Sequence, residues 1–221
     1  MIKAVIFDMD GLMFDTESAY SAVQTKMFAA RGKVFTNEIK MTLMGKRAHE
    51  VMEIIGEVLG TGEKTQNLLK EQDKELVELY KESVTKLKGL DELIAFLNEK
   101  KIRKCIGTSS RKFLVDILLQ RHNLQAEFEF VISGDQVKEG KPNPEIYNVC
   151  VSNLGVLPAE CLVLEDSLNG IKAGHTAGCL TCTIPSEFTK GEDFSMADLI
   201  VDSLADTKIR AFILSGQSLG G

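Results

Sequence analysis

Short runs of apolar residues recur along the chain, and each is followed by polar or small residues. Strands that are buried on both faces, as in a parallel sheet, have such runs rather than alternating polar and apolar positions. Apolar residues at helical spacing lie between most of the runs. This strand–helix alternation predicts a doubly wound α/β domain with a mainly parallel, Rossmann-like sheet. The predicted strands are residues 2–7, 102–107, 130–133, 161–164, 180–184 and 199–201.

A long helical segment separates the first predicted strand from the second. Its apolar residues share helical faces, as Val51, Met52 and Ile55 do. A segment of this length is too long for a simple crossover between two strands. We therefore predict a helical cap domain inserted into an α/β core, although the helices could also pack on the sheet without forming a separate unit. The predicted domains are 1–15 together with 84–221 for the core, and 16–83 for the cap.

Composition and charge restrict the possible partners. The chain of 221 residues carries a formal net charge of −6, which argues against nucleic acid as a partner because phosphate contacts depend on clustered Lys and Arg. No apolar run approaches the ~20 residues of a membrane helix. The cysteines number five, an odd count, and several lie in apolar runs, which predicts buried thiols and a reducing, cytoplasmic location.

Two carboxylates directly follow the first predicted strand, in the segment Asp8-Met9-Asp10-Gly11. The carboxyl ends of parallel strands border the crevice in which open α/β sheets bind ligands. Crowded carboxylates repel each other unless a cation lies between them, and Mg²⁺ prefers such oxygen ligands. The alternative is a turn with no chemical role, because Asp and Gly are common turn residues.

Hydroxyl groups and a lysine follow the next two predicted strands. Thr108, Ser109 and Ser110 precede a helical pattern, where hydroxyls and free amides favour an anion site, although Ser109 or Ser110 could simply cap the helix. Lys141 lies beside two prolines, which restrict the backbone, although most lysines are solvated.

Two further acids, Glu165 and Asp166, follow the fourth predicted strand. Their position again points to the crevice, and the alternative is that they cap the next helix. Acids, hydroxyls, a lysine and more acids thus follow successive strands of one sheet in a fixed order. Each group alone is a weak signal, and the combination is specific.

The combination resembles four motifs of the haloacid dehalogenase-like superfamily, and the helical insert resembles the cap of its β-phosphoglucomutase-like branch. The resemblance covers about residues 2–205. The motifs are Asp8-x-Asp10-Gly-x-x-x-Asp15-Thr16, Thr108-Ser-Ser, Gly-Lys141-Pro-x-Pro and Glu165-Asp166-Ser-x-x-Gly170.

The resemblance implies roles for the acidic residues. Asp8 would be a nucleophile that forms an aspartyl-phosphate and would also bind Mg²⁺. Asp10 would act as general acid and then as general base, and its backbone carbonyl would bind the metal. Asp166 would be the remaining direct metal ligand. Glu165 would contact the metal ligands rather than the metal, or would bind the metal through a water molecule.

The resemblance also implies roles for the other motif residues. Thr108 and the Ser109 amide would bind the transferring phosphoryl group, and Lys141 would offset its developing charge. In the cap, Thr16 would lie at the hinge. Lys46 and Arg47 could contact the remote part of a substrate or could lie solvated at a helix start.

The function implied is a Mg²⁺-dependent phosphatase that hydrolyses a small phosphorylated metabolite, such as a sugar or nucleoside phosphate. A β-phosphoglucomutase is the first alternative, although such mutases commonly have a histidine near the position of Tyr20. A non-enzymatic phospho-acceptor domain of the receiver type is the second, although those domains are much shorter and lack a cap. We predict neither a nucleic-acid nor a membrane partner, and the oligomeric state remains open.

Overall fold

The computed structural model describes residues 1–43 and 46–216, so Met44, Gly45 and the last five residues of the predicted core, 217–221, lie outside the described residues. Within the described part, six parallel strands form one sheet, in the order β3-β2-β1-β4-β5-β6. The predicted α/β fold with a parallel sheet is confirmed. The strands are β1 (Ala4–Phe7), β2 (Arg103–Gly107), β3 (Val131–Ile132), β4 (Cys161–Glu165), β5 (Leu180–Thr183) and β6 (Leu199–Ile200).

Helices fill the long segment between β1 and β2 and alternate with the later strands. The helices are α1 (Thr16–Ala29), α2 (Asn37–Leu43), α3 (Ala48–Leu59), α4 (Thr65–Glu82), α5 (Leu90–Glu99), α6 (Lys112–Arg121), α7 (Glu145–Leu154), α8 (Leu168–Thr176) and α9 (Thr207–Ser215). Helices α1 to α4 therefore lie within the predicted cap and extend from its first residue to residue 82. Its separation from the core as a domain stays a prediction.

The strand order reverses beside β1, which pairs with β2 on one side and with β4 on the other. In such a sheet, the crevice outside the carboxyl ends of the strands at this reversal is where ligands bind. Asp8 directly follows β1, Thr108 directly follows β2, and Glu165 is the last residue of β4. The fold thus brings three of the four predicted motifs to one edge of the sheet.

Burial on both faces explains the uninterrupted apolar runs of the strands. In β1, Val5 and Phe7 belong to one apolar cluster, whereas Ala4 and Ile6 belong to another, because successive side chains point to opposite faces. Full burial of a side chain such as Phe7 contributes about 1.5–3 kcal/mol. The larger cluster continues from the sheet into the helices of the insert.

The two chain segments that join the insert to the sheet run side by side. Asp15 N–H donates to the carbonyl of Thr85 at 3.0 Å. Core residues hold the second segment: Arg121 donates to the Val84 carbonyl at 2.7 Å, and the His122 ring stacks on another residue of the first segment, Phe14, with ring centroids 5.1 Å apart. These contacts lie at the predicted boundaries of the insert.

Some local predictions are confirmed and one is wrong. All five cysteines are buried and free, as expected from their apolar surroundings. Neither Ser109 nor Ser110 caps α6, because that helix begins at Lys112 with Arg111 as the N-cap residue and no side-chain cap bond. No helix in the described part of the chain is long and apolar enough to cross a membrane.

Candidate active site

Four charged side chains from distant parts of the chain meet at the carboxyl edge of the sheet. One carboxylate oxygen from each of Asp8, Glu165 and Asp166 lies within 4.8 Å of the others, and all three residues are buried. Lys141 comes from the loop before α7 and is also buried, with 4 % of its surface exposed. Buried charges are rare unless they are paired or bind a metal, so this cluster needs a specific explanation.

The Lys141 ammonium joins two of these carboxylates. Its Nζ donates to Asp8 Oδ1 at 2.5 Å, to Glu165 Oε1 at 2.6 Å and to the carbonyl of Gly107 at 3.1 Å. Burial by itself would lower the pKa of Lys141, but Asp8 and Glu165 raise it above its ordinary value. The lysine therefore stays charged and holds one oxygen of Asp8 in place.

The Glu165 carboxylate is fully used by hydrogen bonds. Its Oε1 accepts from Lys141 and from the Tyr147 hydroxyl at 2.6 Å. Its Oε2 accepts from the N–H of Asp166 at 3.1 Å and from the hydroxyl of Ser167 at 3.0 Å. With both oxygens occupied, Glu165 is suited to orient its neighbours rather than to bind a metal directly.

The Asp166 carboxylate differs from that of Glu165 in its hydrogen bonding. Among residues 1–43 and 46–216, no hydrogen bond is made to its carboxylate, although the residue is 4 % exposed. Burial raises the pKa of Asp166 well above its ordinary value, and the charges of Glu165 and Asp8 raise it further. A cation beside Asp166 would remove this cost.

The charges of the cluster fit a divalent cation. Asp8, Glu165 and Asp166 supply three negative charges when ionised and Lys141 supplies one positive charge, which leaves two negative charges in a buried site. The available donors are oxygens, which hard cations such as Mg²⁺ prefer. The residues present therefore fit the divalent ion that the resemblance implies.

Asp10 lies beside the cluster and interacts with the loop after β2. The Thr108 hydroxyl donates to Asp10 Oδ2 at 2.9 Å, whereas Asp10 Oδ1 is buried and has no partner among the described residues. Burial raises the pKa of Asp10, and hydrogen bonds from Ser110 and Thr108 partly oppose this. A raised pKa suits a carboxyl group that must donate a proton near neutral pH.

Two glycines allow the acids to approach the backbone closely. Gly11 has φ of +72°, and a Cβ there would lie 2.2 Å from Asp166 Oδ2. A Cβ on Gly170 would lie 1.8 Å from Glu165 Oε1. Both distances are shorter than any contact between non-bonded atoms, so the motif glycines make room for the carboxylates.

A pocket with a volume of about 90 Å³ lies over the cluster. Its wall includes the predicted residues Asp8, Asp10, Ser109, Lys141 and Asp166. Ser110, from the predicted anion site, also lies in the wall. A second set of wall residues, mainly from the insert, has no predicted binding role: Glu17, Tyr20, Gln24, Lys40, Leu43, Ala48, Val51, Gln72 and Ser167. The helical spacing of Glu17, Tyr20 and Gln24 could have indicated a common face, but no local pattern marks Lys40 or Gln72.

The two cationic residues predicted in the insert, Lys46 and Arg47, have different surroundings. Lys46 lines the pocket. Arg47 instead forms an ion pair with Glu50 at 2.6 Å and donates to the carbonyls of Val137 and Lys138 at 3.3 and 2.5 Å. Thr16 is fully buried at the first position of α1. The binding role of Arg47 and the hinge role of Thr16 stay predictions.

Comparison with known proteins gives a family and several relatives. The sequence model of the haloacid dehalogenase-like hydrolases matches residues 5–184. A Thermotoga maritima protein named phosphorylated carbohydrates phosphatase is 33% identical over 177 residues, which cover 80% of this chain and 82% of that protein. A Drosophila melanogaster protein named probable pseudouridine-5′-phosphatase is 30% identical over 213 residues, which cover 94% of this chain and 92% of that protein.

A solved structure agrees with this result. CbbY from Rhodobacter sphaeroides, crystallised with phosphate, is 28% identical and superimposes with a TM-score of 0.82 over 94% of this chain and 96% of its own. The family match spans most of the chain, and it confirms the resemblance seen in the motifs. The chain therefore belongs to the haloacid dehalogenase-like hydrolases and is an enzyme of their phosphatase group.

Proposed function

We propose that this enzyme is a Mg²⁺-dependent phosphatase of small phosphorylated metabolites, such as sugar or nucleoside phosphates, and that it works through an aspartyl-phosphate on Asp8. The main support is the meeting of Asp8, Asp166 and Lys141 at the base of one pocket. The names of the relatives, which include a phosphatase of phosphorylated carbohydrates, favour the same class of substrate.

The first half-reaction transfers the phosphoryl group to the enzyme. Lys141 holds Asp8 Oδ1, and the other oxygen of Asp8 attacks phosphorus as the bond to the ester oxygen breaks. Asp10, whose pKa is raised by burial, gives its proton to the departing oxygen. Thr108 keeps the Asp10 carboxyl in place through its hydrogen bond of 2.9 Å.

The second half-reaction releases phosphate. The Asp10 carboxylate takes a proton from water, and the water oxygen attacks phosphorus, so that the bond to Asp8 breaks. Asp8, the Asp10 backbone carbonyl and Asp166 would hold Mg²⁺, with Glu165 orienting Asp166. When bound, Mg²⁺ supplies charge neutralisation and aligns a phosphoryl oxygen. Lys141 and the Ser109 amide stabilise the remaining charge on the phosphoryl group, and Thr108 would join them when its one hydroxyl hydrogen turns from Asp10.

Tyr20 favours phosphatase over mutase activity, because β-phosphoglucomutases commonly have a cap-hinge histidine near this position. The Tyr20 hydroxyl hydrogen-bonds to Ser110 Oγ at 3.1 Å, and burial raises the pKa of Tyr20 above its ordinary value. Incubation with β-glucose 1-phosphate distinguishes phosphatase from mutase activity. We expect more released phosphate than glucose 6-phosphate, whereas isomerisation faster than hydrolysis would favour the mutase.

The receiver-type alternative is set aside because the chain belongs to a hydrolase family over residues 5–184. The direct test of the proposal is turnover of p-nitrophenyl phosphate with Mg²⁺ and with EDTA. We expect activity to be lost with EDTA and restored by Mg²⁺. Asp8→Asn should remain folded but lose turnover, whereas Asp202→Asn, at an exposed position, should retain it. Normal turnover by Asp8→Asn would remove Asp8 from the mechanism.

A further inference from the structure

Two glutamines from different helices of the insert form a hydrogen-bonded pair in the pocket wall. Gln24 lies on α1 and Gln72 on α4, and their exposed fractions are only 5 % and 1 %. Gln24 Nε2 donates to Gln72 Oε1 at 3.1 Å. Buried amides are costly unless their hydrogen bonds are made, so a pair at a pocket wall requires an explanation.

The pair leaves one amide NH2 group and one amide oxygen without a bond between the two residues. Among the described residues, no hydrogen-bond partner is found for Gln24 Oε1 or Gln72 Nε2, and both residues line the pocket. Reversing both amides exchanges the roles of the two residues and leaves the same combination of one donor and one acceptor. Both groups are therefore available to a molecule in the pocket. A hydroxyl group, which donates and accepts, matches this combination.

The Gln24–Gln72 pair is more distant from the acidic cluster than the first turn of α1 is. Glu17, Tyr20 and Gln24 all line the pocket and are spaced i, i+3 and i+7 along one face of the helix. Glu17 is close to the acids, because a Cβ on Gly11 would lie 3.6 Å from Glu17 Cγ. The rise from Glu17 to Gln24 is about 10 Å. The amides thus lie where the leaving group, rather than the phosphoryl group, would extend.

Two charged side chains of the pocket wall, Lys40 and Glu17, form an ion pair. Lys40 Nζ lies 3.5 Å from Glu17 Oε2 and donates to Ser21 Oγ at 2.5 Å. A second phosphate near Lys40 would therefore approach the Glu17 carboxylate as well, which is unfavourable. Leu43 and Val51 add apolar surface to the same wall. Lys46 lines the pocket as well, and the amide pair adds uncharged hydrogen-bonding groups to this wall, which suit a hydroxyl group.

We propose that the Gln24–Gln72 pair determines specificity by binding hydroxyl groups of a sugar-phosphate or polyol-phosphate substrate. The inference rests on the proposed phosphatase function and adds the part of the substrate that the enzyme recognises. A site built to hydrogen-bond a hydroxyl group discriminates strongly against an analogue without it, because the amides then remain unpaired.

The test compares two alkyl phosphates of equal chain length. Glucitol 6-phosphate carries hydroxyl groups along its carbon chain, whereas n-hexyl phosphate carries none. We expect the wild-type enzyme to have the higher kcat/KM for glucitol 6-phosphate. In Gln72→Met and in Gln24→Met, the ratio of the two kcat/KM values should fall about tenfold or more. The double variant should lose little more than either single variant, because the two amides act as a unit.

Gln66→Met is the matched control, because Gln66 is exposed on the same helix as Gln72 and its variant should keep the wild-type ratio. Circular dichroism and thermal unfolding identify any variant that fails to fold, and the substrate preference of the wild type tests the inference without any variant. The inference would be overturned if the wild-type enzyme had equal kcat/KM values for the two substrates, or if folded Gln24→Met kept the wild-type ratio of these values. Absence of any phosphate release, including from p-nitrophenyl phosphate, would instead reject the underlying phosphatase function.

Discussion

Replacement of Lys141 by methionine removes the only positive charge that contacts the acidic cluster within the described part of the chain. Methionine keeps most of the apolar stem, so the change acts mainly on charge. The two carboxylates that Lys141 contacts at 2.5 and 2.6 Å, those of Asp8 and Glu165, are then buried without a counter-ion. The net charge of the ionised cluster changes from two negative to three negative.

The expected cost follows from this geometry. Removal of one partner of a buried ion pair destabilises a protein by about 3–5 kcal/mol, because the other charge remains uncompensated. Burial raises the pKa of Asp8 well above its ordinary value and Lys141 opposes this, so the pKa of Asp8 in the folded protein should rise further without the lysine. The unfolded chain then releases this proton first as the pH rises, so the loss of stability should be larger at pH 8 than at pH 5.

Urea unfolding of wild-type and Lys141→Met protein, at pH 5 and pH 8, measures these differences. Addition of Mg²⁺ should restore part of the lost stability, since an ion that binds only the folded state stabilises it. In kinetics with p-nitrophenyl phosphate, we expect kcat to fall by about 10²–10³-fold, the usual effect of removing one preorganised charge-stabilising group.

Lys138→Met is the control, because Lys138 lies in the same loop with an exposed side chain. It should resemble the wild type in both experiments. If Lys141→Met unfolds within about 0.5 kcal/mol of the wild type at pH 8 and keeps its kcat, the ammonium does not compensate the buried acids, and the reasoning fails.

Other residues around the cluster give further predictions. Tyr147→Phe removes the 2.6 Å hydrogen bond to Glu165 and should lower the free energy of unfolding in urea by about 1.5–3 kcal/mol; an equal value would mean that the bond is unimportant. Gly170→Ala should lower both the melting temperature and kcat/KM, because its Cβ would collide with Glu165, while Gly191→Ala, with open space around it, should change neither. Burial lowers the pKa of His122, so the unfolded chain binds the proton more readily and stability should decrease as the pH falls below about 6.5. Between pH 7 and pH 5, the free energy of unfolding in urea should decrease less for His122→Gln than for the wild type. An identical decrease would exclude His122 as a source of this pH dependence.

Much of the candidate site could be predicted because its residues are tied to strand ends. A strand buried on both faces has a distinctive apolar run, and in a parallel sheet the residues that follow such runs must lie at the same edge. Asp8, Thr108 and Asp166 were placed together on this basis. The family motifs added Lys141, whose loop position alone did not reveal where its side chain points.

The specific contacts could not be predicted, because they depend on how the helices pack. Gln24 and Gln72 are separated by two other helices in the chain, and their hydrogen bond exists only because α1 and α4 lie together. Lys46 and Arg47 are adjacent in sequence, yet one lines the pocket and the other binds the carbonyls of Val137 and Lys138.

The sequence by itself determined the parallel sheet, the long helical insert and the residue types of the acidic cluster, since local periodicity and residue type encode these features. Only the tertiary structure decided which oxygens of Glu165 are occupied, that Asp166 is open to a cation, and which insert residues line the pocket. The physical reason is that hydrogen bonds and burial are made between distant segments, and their geometry is fixed only when the helices and the sheet pack together.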